Sequence, residues 1–155
     1  EFEGKEYLFV QREELGKPVP ELLQTEAEQW ISQLNFPKNM RWGSYRMRFI
    51  RPIRWIVSLW NDEVVPVKLE MVEAGNETRG HRFLSSGKSV LKQAAEYEKL
   101  LEKLNVIPDF EKRRESILSQ VNNLEKKHGF EVELEDRLLT EVTNLVEWPT
   151  VLLGD

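Results

Sequence analysis

The stretch Ile53-Arg54-Trp55-Ile56-Val57-Ser58-Leu59-Trp60, then Asn61-Asp62-Glu63, then Val64-Val65-Pro66-Val67-Lys68-Leu69-Glu70, carries the strongest strand signal in the chain. Both arms are rich in β-branched and aromatic residues, and three polar residues suited to a tight connection join them. The pattern predicts a hairpin over residues 53–60 and 64–70. Pro66 has no N–H to donate, so the second arm is expected at an edge or around a bulge. Upstream, residues 46–50 set Arg46, Arg48 and Ile50 against Met47 and Phe49, the two-residue period of a half-buried strand. Pro52 interrupts it. Residues 5–12, with Tyr7, Phe9 and Val10, read as another strand. Between these strands Pro18 and Pro20 sit where a first helical turn tolerates proline, and Leu23, Ala27, Trp30, Ile31 and Leu34 recur at helical spacing. A helix over residues 19–34 follows, stopped by Asn35 and Pro37.

Downstream the period changes. Residues 74–89 hold Gly75, Asn76, Gly80, Ser85, Ser86 and Gly87 and are expected as loop. Residues 94–104 read as helix. Phe110–His128 reads as a longer one, with Asp109 as N-cap and Gly129 as the stop. A short strand over residues 130–134 and a helix over residues 136–147, broken by Trp148-Pro149, are expected next, then extended chain over residues 150–153. The sum is an α+β fold: a mostly antiparallel sheet in the first half packed against several helices from the second half. Residues 1–155 read as a single domain. The non-Met start and the apolar Val151-Leu152-Leu153 near the end predict a piece of a longer protein, with partners outside it.

The charge is segregated. The net charge of −5 argues by itself against a nucleic-acid binder, yet residues 36–60 hold six basic groups and no acid. Residues 1–35 and 93–155 are acidic. A local positive stripe, which matters more for recognition than the mean, is thereby hidden. Cysteine is absent, which removes disulfides and zinc–thiolate chemistry and fits a reducing, cytoplasmic compartment. With His81 and His128 the only histidines, no metal-ligand spacing stands out. No run approaches the roughly 20 apolar residues of a membrane span.

Enzymatic signatures fail on inspection. Gly75-Asn76-Glu77-Thr78-Arg79-Gly80-His81-Arg82 has the glycine spacing of a phosphate loop, but His-Arg stands where Lys-Ser/Thr would hold phosphate and magnesium. There is no dinucleotide-binding glycine motif, no nucleophile elbow and no cysteine nucleophile. The segment Thr78-Arg79-Gly80-His81-Arg82-Phe83 still concentrates guanidiniums for phosphate and an aromatic for an unpaired base. One reading makes Arg79, His81, Arg82 and Phe83, with Arg41 and Arg54, an RNA contact. The other has these arginines pair internally with Glu70, Glu73, Glu77 or the acidic helices while Phe83 packs in the core. A lone histidine such as His81 is more often a structural donor than a general base. The charged stretch Glu111-Lys112-Arg113-Arg114-Glu115 reads as a solvated helix face.

Four segments carry a family resemblance: Phe36-Pro37-Lys38-Asn39-Met40-Arg41-Trp42, Arg48-Phe49-Ile50-Arg51-Pro52-Ile53-Arg54-Trp55, Gly75 to Phe83, and Val142-Thr143-Asn144-Leu145-Val146-Glu147-Trp148-Pro149. In order and spacing they resemble the beta subunit of bacterial glycyl-tRNA synthetase, from about Gly4 to Gly154. The resemblance implies a slice near the N-terminal part of a longer subunit of an alpha/beta enzyme that joins glycine to its tRNA. ATP and magnesium belong to that whole enzyme, and no cofactor is implied for this piece. In the family the alpha subunit carries the adenylate-forming site and the beta subunit serves tRNA binding. The slice is similar to the editing-type domain of bacterial phenylalanyl-tRNA synthetase, and a hydrolytic editing site is implied only by that likeness. No catalytic residue carries over. The implied partners are the alpha subunit, the rest of the beta subunit and glycine tRNA, with no membrane. The alternative role is a structural module for beta-subunit folding or docking of the alpha subunit.

Overall fold

The structure is a computed structural model that describes residues 10–154. Helix α1 spans Val19–Gln33, with Pro18 extended (φ −56°, ψ 140°) at its start and Pro20 in its first turn. It buries no residue, so its apolar side chains remain at least partly open to solvent. Of the strand expected over residues 5–12, residues 5–9 lie outside the described residues, and 10–12 have no regular structure.

Among the described residues the strand half holds four two-stranded ladders. Strand β1 (Met40–Arg41) pairs antiparallel with β2 (Arg48–Phe49), so the strand expected at residues 46–50 is regular over two residues. The connection turns through Gly43 at φ +61°, a left-handed conformation that glycine adopts without strain. Trp42 Nε1–H donates to the Phe49 carbonyl at 3.0 Å and closes this ladder. Strand β3 (Ile56–Val57) pairs in parallel with β6 (Ala74–Gly75). Strands β4 (Leu59–Trp60) and β5 (Glu63–Val64) form the core of the expected hairpin, turning at Asn61 with φ +56°. Strand β7 (Glu77–Thr78) pairs antiparallel with β8 (Ser89–Val90).

Beyond β5 the second hairpin arm loses its ladder at Pro66, which has no N–H, but keeps the strand period. Val65, Val67 and Leu69 are buried while Pro66 and Lys68 are exposed. Backbone bonds outside the ladder hold it, Val65 N–H to Ser58 and Ala74 N–H to the Val67 carbonyl at 2.8 Å. The loop expected over residues 74–89 is corrected at both ends, because β6, β7 and the start of β8 lie within it. Gly75 and Asn76 have the composition of a turn. Remote partners at residues 56–57 and 89–90 make strands of Gly75 and of Glu77 beyond the bend at Asn76, a tertiary effect that outweighs weak local preference.

In the helical half, a 3₁₀ turn (Ala94–Glu96) leads into α2 (Tyr97–Lys103). Helix α3 (Phe110–His128) has the expected boundaries. Asp109 accepts the Lys112 N–H at 2.9 Å, and Gly129 caps the other end at φ +72°. Helix α4 (Asp136–Leu145) stops two residues earlier than expected, with Val146 already extended. The expected strand at residues 130–134 is corrected too. Its alternation is present, but no neighbouring strand supplies a ladder, and the Glu125 carboxylate takes the Val132 N–H at 2.7 Å instead.

Ile117, Val121 and Leu139 form the buried seam between α3 and α4, flanked by Leu118, Leu134, Val146 and Val151. Two polar clamps lock the segments beside it. The Gln120 amide donates to the Pro149 carbonyl (3.1 Å) and accepts the Val151 N–H (3.0 Å), which fixes the chain after α4 against α3. Arg113 donates to the carbonyls of Thr143, Ile107 and Pro108 at 3.1, 2.7 and 2.8 Å. The solvated face expected at residues 111–115 is therefore corrected at Arg113, which is half-buried. Its neighbours make surface ion pairs, Lys112 with Glu98 and Glu102, and Arg114 with Asp136. The Glu98 hydrogen bond, joined by the charges of Glu98 and Glu102, holds the Lys112 ammonium above its ordinary pKa.

Candidate functional site

A cleft of about 620 Å³ has a wall that includes Arg54, Trp55, Arg79, His81, Arg82 and Glu147. Three of the four family-like segments contribute to it. Its floor is the segment after β7, and a close approach fixes that segment in place. The His81 N–H donates to the Leu104 carbonyl at 2.9 Å, and Ser85 Oγ lies 2.8 Å from the same oxygen. A Cβ at Gly80 would collide with the Leu104 carbonyl and with Ser85 Oγ. Glycine is required here to let the loop seat against the end of α2. On the far side the Ile107 N–H holds the Glu147 carbonyl at 2.9 Å, which anchors the fourth segment on the rim.

His81 organises the loop it belongs to. Its Nδ1 accepts the N–H groups of Phe83 and Leu84, each at 3.2 Å. In the neutral ring the proton then sits on Nε2, the nitrogen left for a ligand. Phe83 does not pack in the core: it is 85% exposed, with its ring 6.1 Å from the imidazole and 5.9 Å from the Arg82 guanidinium. Trp55 carries Arg79 over its indole at 6.0 Å, within the range of a cation–π contact.

The arginines are not paired internally. Arg41, Arg46, Arg48, Arg51, Arg54, Arg79 and Arg82 are all exposed, and among the described residues none makes an ion pair. The carboxylates expected to neutralise them are engaged elsewhere. Glu73 pairs with Lys68, Glu77 pairs with Lys88, and Glu70 accepts the backbone N–H groups of Arg46 and Met47. The hydrogen bond from Lys68 holds the Glu73 carboxyl below the usual range.

The cleft gathers Arg54, Arg79, His81 and Arg82, with Phe83 beside it. Arg41 stands apart on β1, where the ladder sets it directly across from Arg48. Like charges facing each other across two strands are unfavourable without an anion between them. Among the cleft members that sequence reading did not single out as contacts are Trp55, Lys88 and Glu147. Trp55 and Glu147 fall inside family-like segments, which was the available signal, whereas Lys88 had none. Glu147 has no ion-pair partner among the described residues although three arginines share its cleft, and it adds an acceptor to a wall of donors.

The family described as glycyl-tRNA synthetase beta subunit matches residues 1–155. The chain belongs to this family. It is 46% identical over 154 residues to the glycine–tRNA ligase beta subunit of Limosilactobacillus reuteri, a match covering 99% of this chain and 22% of that one. The corresponding subunit of Moorella thermoacetica is 42% identical over 154 residues, with the same coverage. That of Desulfitobacterium hafniense is 43% identical over 155 residues, covering 100% of this chain and 22% of its own length. The chain thus spans about a fifth of the length of these curated relatives. Among the described residues no group of histidines and carboxylates is placed to hold a metal, and no helix is long and apolar enough to cross a membrane.

Proposed function

We propose that this chain is a non-catalytic, RNA-contacting domain (residues 1–155) of a cytoplasmic glycine–tRNA ligase, working beside an alpha subunit and the rest of the beta subunit. Its ligand is glycine tRNA, and ATP and magnesium act elsewhere in the enzyme. The observation that carries the reading is the set of seven exposed arginines without carboxylate partners among the described residues. Unpaired guanidiniums held near one another repel, and a phosphate backbone relieves that repulsion while releasing its counterions. Arg79, Arg82 and Arg54 meet phosphate at the cleft, His81 offers Nε2, and Phe83 gives a base an exposed ring. Arg41 adds a second basic point on the β1–β2 ladder.

The test is titration of the chain with glycine tRNA across a salt series. Converting Arg79 and Arg82 to Gln removes two phosphate contacts, so the slope of log affinity on log salt shrinks by about 1.4. Unchanged affinity and slope in that variant refute the reading.

A second reading, an assembly role, is favoured by one observation. Leu138, Val142 and Leu145 form an exposed apolar stripe along α4, with Leu145 72% exposed. Substituting Leu138 and Leu145 by Ser would then impair association with the alpha subunit and leave tRNA affinity unchanged.

A further inference from the structure

Trp55 lines two concavities. One is the basic cleft. The other is a groove of about 490 Å³ formed by Trp55, Val57, Leu59, Leu91, Ala94 and Tyr97. The two differ sharply in chemistry. The first is walled by three guanidiniums, a lysine, two carboxylates and serines, while no residue lining the second carries a charge. Its rim is aromatic: Trp55 is 44% exposed and Tyr97 38%. The floor is aliphatic, with Leu91 buried.

We propose that this groove receives an unpaired base of the same RNA strand whose phosphates lie in the basic cleft, with Trp55 as the divide between them. The proposal rests on the RNA reading above and extends it to a second site. Binding of single strands combines cations that follow the backbone with aromatic platforms on which bases stack. Here the cations and the second platform lie in adjacent hollows that share one indole. A phosphate has no partner in the groove, since none of its lining residues is cationic. A base has flat apolar faces that match the indole, the phenol and the aliphatic floor, and the groove volume lies in the range of small-ligand sites. A base-paired residue cannot enter, because its faces are covered by its neighbours in the stack. The site therefore selects an unpaired end or loop over duplex. A protein segment is the less favoured occupant, because the groove shares Trp55 with a cleft of net positive charge.

The test uses the whole chain and a short single-stranded RNA, followed by quenching of tryptophan fluorescence. Tyr97→Ala is expected to weaken binding between about fivefold and a hundredfold, the range for one lost base stack, with the salt slope unchanged. Tyr97→Phe keeps the ring and retains the affinity. An oligonucleotide lacking the terminal bases should bind the unmodified protein more weakly and no longer distinguish Tyr97 from Ala. The weaker binding to the unmodified protein needs no variant, so that measurement stands even if Tyr97→Ala misfolds. If base removal or Tyr97→Ala leaves affinity unchanged while Arg79→Gln with Arg82→Gln still flattens the salt slope, the groove holds no base and the RNA reading survives. If the unmodified protein binds neither the oligonucleotide nor the tRNA at low salt, both are overturned.

Discussion

Arg113 on α3 and Arg79 beside β7 are the same side chain in opposite circumstances. Arg113 is half-buried and donates to three backbone carbonyls, tying the start of α3 to the end of α4. Arg79 is exposed, lies over Trp55 and has no carboxylate partner among the described residues. The contrast extends to the two halves. In the helical half Lys112 and Arg114 face acids from neighbouring elements. In the strand half Glu73 and Glu77 bond lysines and Glu70 bonds backbone N–H groups, and the arginines remain open. Cations are thus built into the fold in one half and presented outward in the other. Charge counting cannot separate these uses, because both need the same residue type.

The comparison breaks most readily at Arg113. Arg113→Met leaves the Thr143, Ile107 and Pro108 carbonyls without their charged donor and is expected to destabilise the chain by about 3 kcal/mol, read by urea unfolding. RNA affinity of the molecules that remain folded should not change. Gly80→Ala lies on the boundary between the two regions. The new methyl collides with Leu104, so we expect a loss of about 1–3 kcal/mol with a weaker grip on RNA, because the floor of the cleft shifts. A mutant with full stability and full affinity would show that the loop has room to move.

Arg41→Gln should act in opposite directions on folding and binding. Removing the charge facing Arg48 stabilises the ladder by about 0.2–1 kcal/mol at low salt, while tRNA affinity falls. Loss of stability instead would mean that Arg41 serves the fold as Arg113 does. The smallest effect is expected at Lys68 and Glu73, an ion pair exposed on both sides. The lowered Glu73 pKa makes its contribution present above the unfolded value and lost as pH falls through the folded one. Because both groups are fully in solvent, Glu73→Gln should leave the melting temperature at neutral pH within error.

Legibility followed the range of the interactions. Helix α3 was readable to the residue, since its cap at Asp109 and its left-handed stop at Gly129 are set within a few residues of chain. The hairpin turn at Asn61 was readable for the same reason. The ladders formed by Gly75 and Glu77 were not, because each needs a partner more than ten residues away. Residues 130–134 erred in the other direction, having a strand's alternation and no strand to meet.

By itself, then, the sequence determined the helices with local caps, the alternation of Val65, Val67 and Leu69, the basic stripe between acidic ends, and the motif series that marks the family. Tertiary structure alone decided which cations stay open, why residue 80 is glycine, and that Glu147 shares a cleft with Arg54 and Arg79. The physical reason is that capping, periodicity and charge are properties of neighbouring residues. Pairing, close approach and exposure depend on which distant segments meet, and in this chain the contacts of Leu104 and Ile107 bring those segments together.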